Sequence, residues 1–400
     1  MKFVNLDLGH RTLFSAVLFL CTGTAASAQS WHVESIGTPA PPHSSVPRLT
    51  EGQSGKILLS WMEKAPDGLA FRFASWRDSH WSASQTIAEG PQLLAATSSE
   101  PGVIELPGGA LVAQWLTKAA KAEANDIVMA VSRDAGRTWS NPVKPYRDST
   151  PGEHMYVSLF PWPGGGAGAV WLDPRGGKTS LLIQTTIDES GKLGLETVIA
   201  GDVCECCPTS STVTSAGPVV LYRNRSALNI RDMYLSRFLS GRMQAGTPIY
   251  RDGWQINGCP TNSGSVTAIG NRIAAAWFTA SSGDPRIELA FSKGDGFQKP
   301  LIVDDAKPVG RVAVAPLKDG SVMVTWLARG TRGTVLRGRE ASADGALGSP
   351  IDLESVRPNG KLGFPFAVGI PDGIMMVWTD WNGNEALGLR AAILTKNNVR

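Results

Sequence analysis

Residues 201–210 read GDVCECCPTS, placing Cys204, Cys206 and Cys207 within four positions with Glu205 among them. Residues 256–262, INGCPTN, repeat the Cys-Pro-Thr around Cys259, and the only remaining cysteine is Cys21. Thiolates suit soft cations such as Cu(I) or Zn(II) far better than Mg or Ca. Cys204 to Cys207 also has the C-x2-C spacing of zinc ligands. In an exported chain, four cysteines pair instead into two disulfides. A third use is thiol–disulfide redox chemistry. A C-x-C-C run cannot satisfy all its thiols by local bridges, and a Cys204–Cys206 ring would be small and strained. That favours the metal, with copper preferred to zinc for a periplasmic site. Met155 and Met233 offer thioethers nearby.

The chain carries an export signal. Lys2 and Arg11 precede an apolar run, LFSAVLFLC (13–21), and Ala26-Ser27-Ala28 follows. This is the pattern of a secretory signal peptide over residues 1–28 with cleavage after Ala28. The run is too short to span a bilayer, and Phe19 and Leu20 are too large for a lipid-attachment box at Cys21. The expected mature protein is residues 29–400, periplasmic or secreted, monomeric and without a membrane span. A formal net charge of +3 with no basic stripe argues against nucleic acid as partner.

The elements that must position the cysteines are strands. Short apolar runs bounded by Gly, Pro, Asn and Asp recur throughout, as in an all-β protein. Seven runs end in an aromatic: Trp61, Trp115, Trp171, Tyr222, Trp277, Trp326 and Trp378, spaced 49 to 56 residues apart. Each sits in a unit of four short strands, which describes a β-propeller blade. The last unit lacks a fourth strand, whereas WHVESIG (31–37) is a spare one at the start. Pairing the two would close the ring and remove two sheet edges. The sequence therefore predicts one domain, a propeller of seven four-stranded blades closed by the N-terminal strand.

SRDAGRTWS (132–140) matches the Asp-box, S-x-D-x-G-x-T-W, with weaker echoes at SWRDSHWS (75–82) and FSKGDGF (291–297). Through it the repeat resembles the bacterial neuraminidase repeats of sialidase-like propellers. Sialidases of this type are six-bladed, so the resemblance keeps a six-bladed ring with one irregular repeat as the alternative count. As a turn, Asp134 is expected to bond amides of its own hairpin, Gly136 to take positive φ and Trp139 to pack between blades.

Counted from the blade aromatics, His43 lies 18 residues before Trp61 and Cys259 lies 18 before Trp277. His154 lies 17 before Trp171, and Cys207 lies 15 before Tyr222. All precede the first strand of a blade, which is innermost in a propeller, so their loops open beside the central axis. The expected metal site is His43, His154, Cys207 and Cys259, supported by Cys204 and Cys206. The competing expectation is a Cys207–Cys259 disulfide between adjacent blades.

The sialidase resemblance implies a second chemistry in which a metal ion or small glycan is replaced at the axis by an acidic sugar. It calls for an arginine triad, a tyrosine nucleophile with a carboxylate partner, and an acid/base group. Arg48 lies in VPRL (46–49), and Arg223, Arg225, Arg231 and Asp232 lie in LYRNRSALNIRDMY (221–234). These arginines either form an anion patch or pair with Asp232 on a solvated edge. Tyr156 is the candidate nucleophile, and Glu100 and Glu205 are the candidate carboxylates. Trp254 either lines the mouth or packs under its loop. Three readings follow: a soft-metal or redox protein, an exo-glycosidase of the sialidase type, and a disulfide-locked interaction platform.

Overall fold

Each aromatic-ending run forms the second strand of an antiparallel sheet, because its apolar residues are buried on both faces between neighbouring sheets. The computed structural model describes residues 31–121, 124–177, 179–331, 333–356 and 363–397; the expected leader, residues 1–28, lies outside them. Among the described residues there are seven sheets, and they form a seven-bladed β-propeller. Blades 1 to 6 occupy residues 45–90, 93–143, 155–203, 210–248, 264–304 and 310–356. Blade 7 joins Phe366–Ile370, Gly373–Asn382 and Glu385–Lys396 to the N-terminal strand Trp31–Ile36. In that closure Trp31 pairs with Lys396 and Ile36 with Ala391. No described helix is long and apolar enough to cross a membrane.

The core is split into seven clusters, each shared by two adjacent blades. Every repeat aromatic packs onto the preceding blade: Trp61 onto blade 7, Trp115 onto blade 1, and so on to Trp378 on blade 6. Burial of these large side chains is what drives one blade onto the next. Their indole N–H groups need acceptors, and several find carboxylates. Trp61 donates to Glu63 at 2.7 Å and Trp171 to Asp173 at 2.8 Å, while Trp277 reaches Asp252 on the segment between blades 4 and 5 and Trp326 reaches Asp304 at the end of the outer strand of blade 5.

The 132–140 turn has the expected local chemistry. The Asp134 carboxylate accepts from the Thr138 amide at 2.9 Å and from the Thr138 hydroxyl at 2.7 Å. Gly136 takes a φ of 89°, and Trp139 meets Phe73 of blade 1 edge-on at 6.1 Å.

Blade 2 departs from the pattern. Its inner strand is broken into Leu93–Leu94 and Gly102–Glu105. Leu94 pairs with Leu116 and Gly102 with Gln114, so seven residues (95–101) are inserted opposite the single residue Trp115. Three other inner strands begin with a register irregularity in which a non-glycine residue takes positive φ: Val46 (49°), Tyr156 (63°) and Arg311 (58°). Such bulges re-aim side chains at the rims of β structures.

Candidate functional site at the mouth of the channel

The inner strands surround an axial cavity of about 400 Å³ lined by residues from all seven blades. One position defines its mouth. Fifteen residues before each blade aromatic stand, in blade order, Val46, Glu100, Tyr156, Cys207, Asn262, Arg311 and Gly363. Of these, Glu100 and Tyr156 line the cavity, and Cys207 and Arg311 lie close enough to interact electrostatically with Tyr156, whereas Val46 is buried in the core between blades 1 and 2. The insertion in blade 2 carries Glu100 to the axis, and the bulges in blades 3 and 6 aim Tyr156 and Arg311 at it.

Glu100 is 6 % exposed, and its Oε1 has no hydrogen-bond partner. Burial pushes its carboxyl up to about 7, against the pull of Arg48 and Arg311. Arg48 donates to the Val157 carbonyl at 3.0 Å and lies over the Phe366 ring; Arg311 donates to the Thr261 carbonyl at 2.6 Å and lies 4.4 Å from the Phe364 ring. Both guanidinium groups are pushed down by burial. The Tyr156 hydroxyl, beside Ser98, is pushed up to about 12, chiefly by burial. That is the opposite of an activated nucleophile.

Beside Cys207 the sulfur atoms gather. Cys204, Cys206 and Cys207 bring their Sγ atoms within 4.8 Å of one another, and Cys206 is bonded to Cys259. The disulfide therefore runs from Cys206, where the sequence reading expected Cys207. Cys207 occupies the inward mouth position and is buried, whereas Cys206 is half-exposed and turned toward blade 5. Cys204 and Cys207 are free and buried. The Arg231 guanidinium donates to Cys204 Sγ at 3.0 Å and to the Gly258 carbonyl at 3.0 Å, tying both leading loops together. The Cys207 hydrogen bond, with help from Arg223 and Arg231, brings the Cys204 thiol down to about 7 against the effect of burial. Burial raises Cys207, so Cys204 is the anion of the pair and Cys207 its donor.

The two histidines stand apart. His43 is exposed between blades 1 and 7, with Nδ1 3.0 Å from the Ala386 carbonyl and 3.4 Å from Glu385. His154 is buried between blades 2 and 3, stacked on Tyr146 at 4.1 Å with Nε2 3.7 Å from Asp173. Both precede a first strand, yet they turn between blades, whereas Cys204 and Cys259, each 18 residues before its own blade aromatic, reach the sulfur cluster. Among the described residues, neither joins the group of sulfurs.

Arg223 is also structural. Its guanidinium donates to the carbonyls of Asn262, Arg231 and Phe278 at 3.0, 2.6 and 2.8 Å, so all three of its nitrogens are committed to the backbone. Neither Arg223 nor Arg231 pairs with Asp232, which is raised to about 7 by burial and by sharing a proton with Asp252. Arg225 instead bonds Glu205 at 3.0 Å. Trp254 packs under the loop against Phe278 and Arg223. Arg311 was missed by the sequence reading, and the constant offset of 15 would have found it.

The class defined by this fold is the seven-bladed propeller, and solved structures share it. A lectin from Burkholderia pseudomallei superposes with a TM-score of 0.59 at 13% identity, over 86% of this chain and 94% of its own. A protein of unknown function from Dyadobacter fermentans gives 0.51 at 14% identity, over 91% and 98%. A GH93 α-L-arabinofuranosidase of Fusarium graminearum gives 0.48 at 13% identity, over 87% and 92%. At these identities the likeness to the first two is one of fold alone. No family model matches the chain, and no curated protein matches its sequence.

Proposed function

We propose that the protein is an exported propeller that binds a soft monovalent cation, Cu(I), between Cys204 and Cys207 at the channel mouth. The observation that carries this reading is a pair of free, buried thiols whose sulfurs lie within 4.8 Å of each other, one of them bonded by the buried Arg231 guanidinium. Arg223 and Arg231 offset the negative charge of bound thiolates, and sulfur selects Cu(I) over harder cations. The same geometry disfavours zinc while the disulfide is intact. A structural Zn(II) site takes four ligands, and with Cys206 bonded to Cys259 and both histidines elsewhere, two thiols remain. The test is titration of the metal-free protein with Cu(I) against a competing chelator. Stoichiometric binding is expected, lost in Cys204→Ser and Cys207→Ser and kept in His43→Ala and His154→Ala. Equal binding by the Cys204→Ser/Cys207→Ser double variant would sink the reading.

A second reading rests on Glu100. A carboxyl near 7 facing a cavity, with Arg48 and Arg311 to either side, suits an acid/base group beside an anion site. An acidic sugar is the corresponding ligand, consistent with the Asp-box resemblance. Hydrolysis of a fluorogenic sialoside, abolished by Glu100→Gln and by Arg311→Ala, is its test; no turnover by the wild-type protein removes it.

A further inference from the structure

The free thiols and the disulfide are not separate features. Cys204 Sγ lies 3.8 Å from Cys206 Sγ, one half of the disulfide, and Cys207 Sγ lies within 4.8 Å of both. The four sulfurs thus form one contiguous cluster that reaches from the buried Cys204 and Cys207, through Cys206, to Cys259, which is exposed on the loop leading into blade 5. Thiols and disulfides in such contact exchange by attack of a thiolate on a disulfide sulfur.

We infer that this cluster is a thiol–disulfide relay that moves an electron pair between the buried dithiol, Cys204/Cys207, and an exposed outlet, Cys206/Cys259. In the first step Cys204 sulfur attacks Cys206 Sγ. The Cys204–Cys206 bond forms, the Cys206–Cys259 bond breaks, and Cys259 leaves as a thiolate that takes up the proton given up by Cys204. The product closes a small ring that departs from relaxed disulfide geometry and is therefore easily opened. In the second step Cys207 sulfur attacks Cys204 Sγ, the Cys204–Cys207 bond forms, and Cys206 leaves and is protonated in turn. The inner pair is now oxidised and the outer pair reduced, with no outside oxidant consumed. The outer dithiol is then placed to reduce a small-molecule disulfide by the same exchange, through the accessible Cys259. Arg231 serves the relay as a positioning residue, since it bonds both Cys204 Sγ and the backbone beside Cys259.

The relay goes beyond cation binding and is tested without metal. The full chain, purified without reductant and freed of metal by a chelator, is treated with N-ethylmaleimide under native conditions. It is then unfolded, reduced, labelled with iodoacetamide and mapped by mass spectrometry. The expected result is maleimide on Cys259 and Cys206, trapped as the Cys204–Cys207 bridge forms. Cys204→Ser is expected to cut Cys259 labelling about tenfold. Cys207→Ser should keep Cys259 labelling and abolish that of Cys206. Maleimide confined to Cys204 and Cys207 in the wild-type protein overturns the relay, and so does Cys259 labelling that is unchanged in Cys204→Ser. The wild-type map decides even where a variant fails to fold. Loss of Cu(I) binding with an intact labelling pattern would fault the cation reading alone.

Discussion

Blades 2 and 4 solve one problem in opposite ways. Each brings a reactive group to the channel mouth fifteen residues before its aromatic, Glu100 in one and Cys207 in the other. Blade 2 does so by opening its inner strand, and the inserted loop is held by hydrogen bonds and by Ala96 packed on the core, with no covalent tie. The Gln114 amide donates to the Glu100 carbonyl, the Ser60 hydroxyl to the Pro101 carbonyl, and the Tyr156 amide to the Ser99 hydroxyl. Blade 4 keeps its inner strand whole and ties the preceding loop with a disulfide and two fully buried arginines. The difference teaches that the Glu100 carboxyl, like the Cys207 thiol, is tuned by burial, whereas the Cys204 thiol is tuned by direct contacts.

That contrast can be broken from its strongest member downward. Arg223→Ala should cost most, about 4 kcal/mol, because three buried carbonyls lose their donor together. Urea unfolding should show this, while Arg48→Ala, with one such bond, costs clearly less. Replacing Cys206 and Cys259 by Ser should cost about 3 kcal/mol, since the bridge spans 53 residues of chain. A midpoint insensitive to reductant in the wild-type protein would contradict it.

Glu100 provides the pH test. Its folded value near 7 exceeds the unfolded 4.5, so between these values the folded state holds the extra proton. Its contribution is full below the unfolded value and is lost as pH rises through the folded one. Glu100→Gln should therefore match the wild type near pH 4.5 and exceed it by about 3 kcal/mol at pH 8. Parallel urea midpoints for the two proteins across that window would refute the assignment. The smallest effect belongs to Tyr156→Phe, about 0.5 kcal/mol from the lost hydroxyl contact with Ser98. Thermal unfolding at neutral pH measures it.

The ring itself was legible in the sequence because burial is periodic. Trp61, Trp115 and their counterparts each cover the blade before them, and such positions must recur once per blade. The spare strand 31–36 was legible because an unpaired edge has to be met somewhere. The mouth was only half legible. Cysteine clustering pointed to the right loop, but the partner of Cys259 depended on which of two adjacent thiols turned inward. His43 and His154 share the loop of the mouth residues but not their direction. That direction is set by bulges at Tyr156 and Arg311, where residues with no preference for positive φ adopt it. No composition marks such positions in advance.

The closing blade has a mechanical consequence. Trp31 and Lys396 face each other across an antiparallel pair whose other end is Ile36 and Ala391. The two ends of the domain therefore emerge side by side, and tension applied between them loads one hydrogen-bonded rung at a time. The propeller should open like a zipper at low force, beginning at its seam, while the leading loops of blades 4 and 5 stay stapled on the far side of the circle.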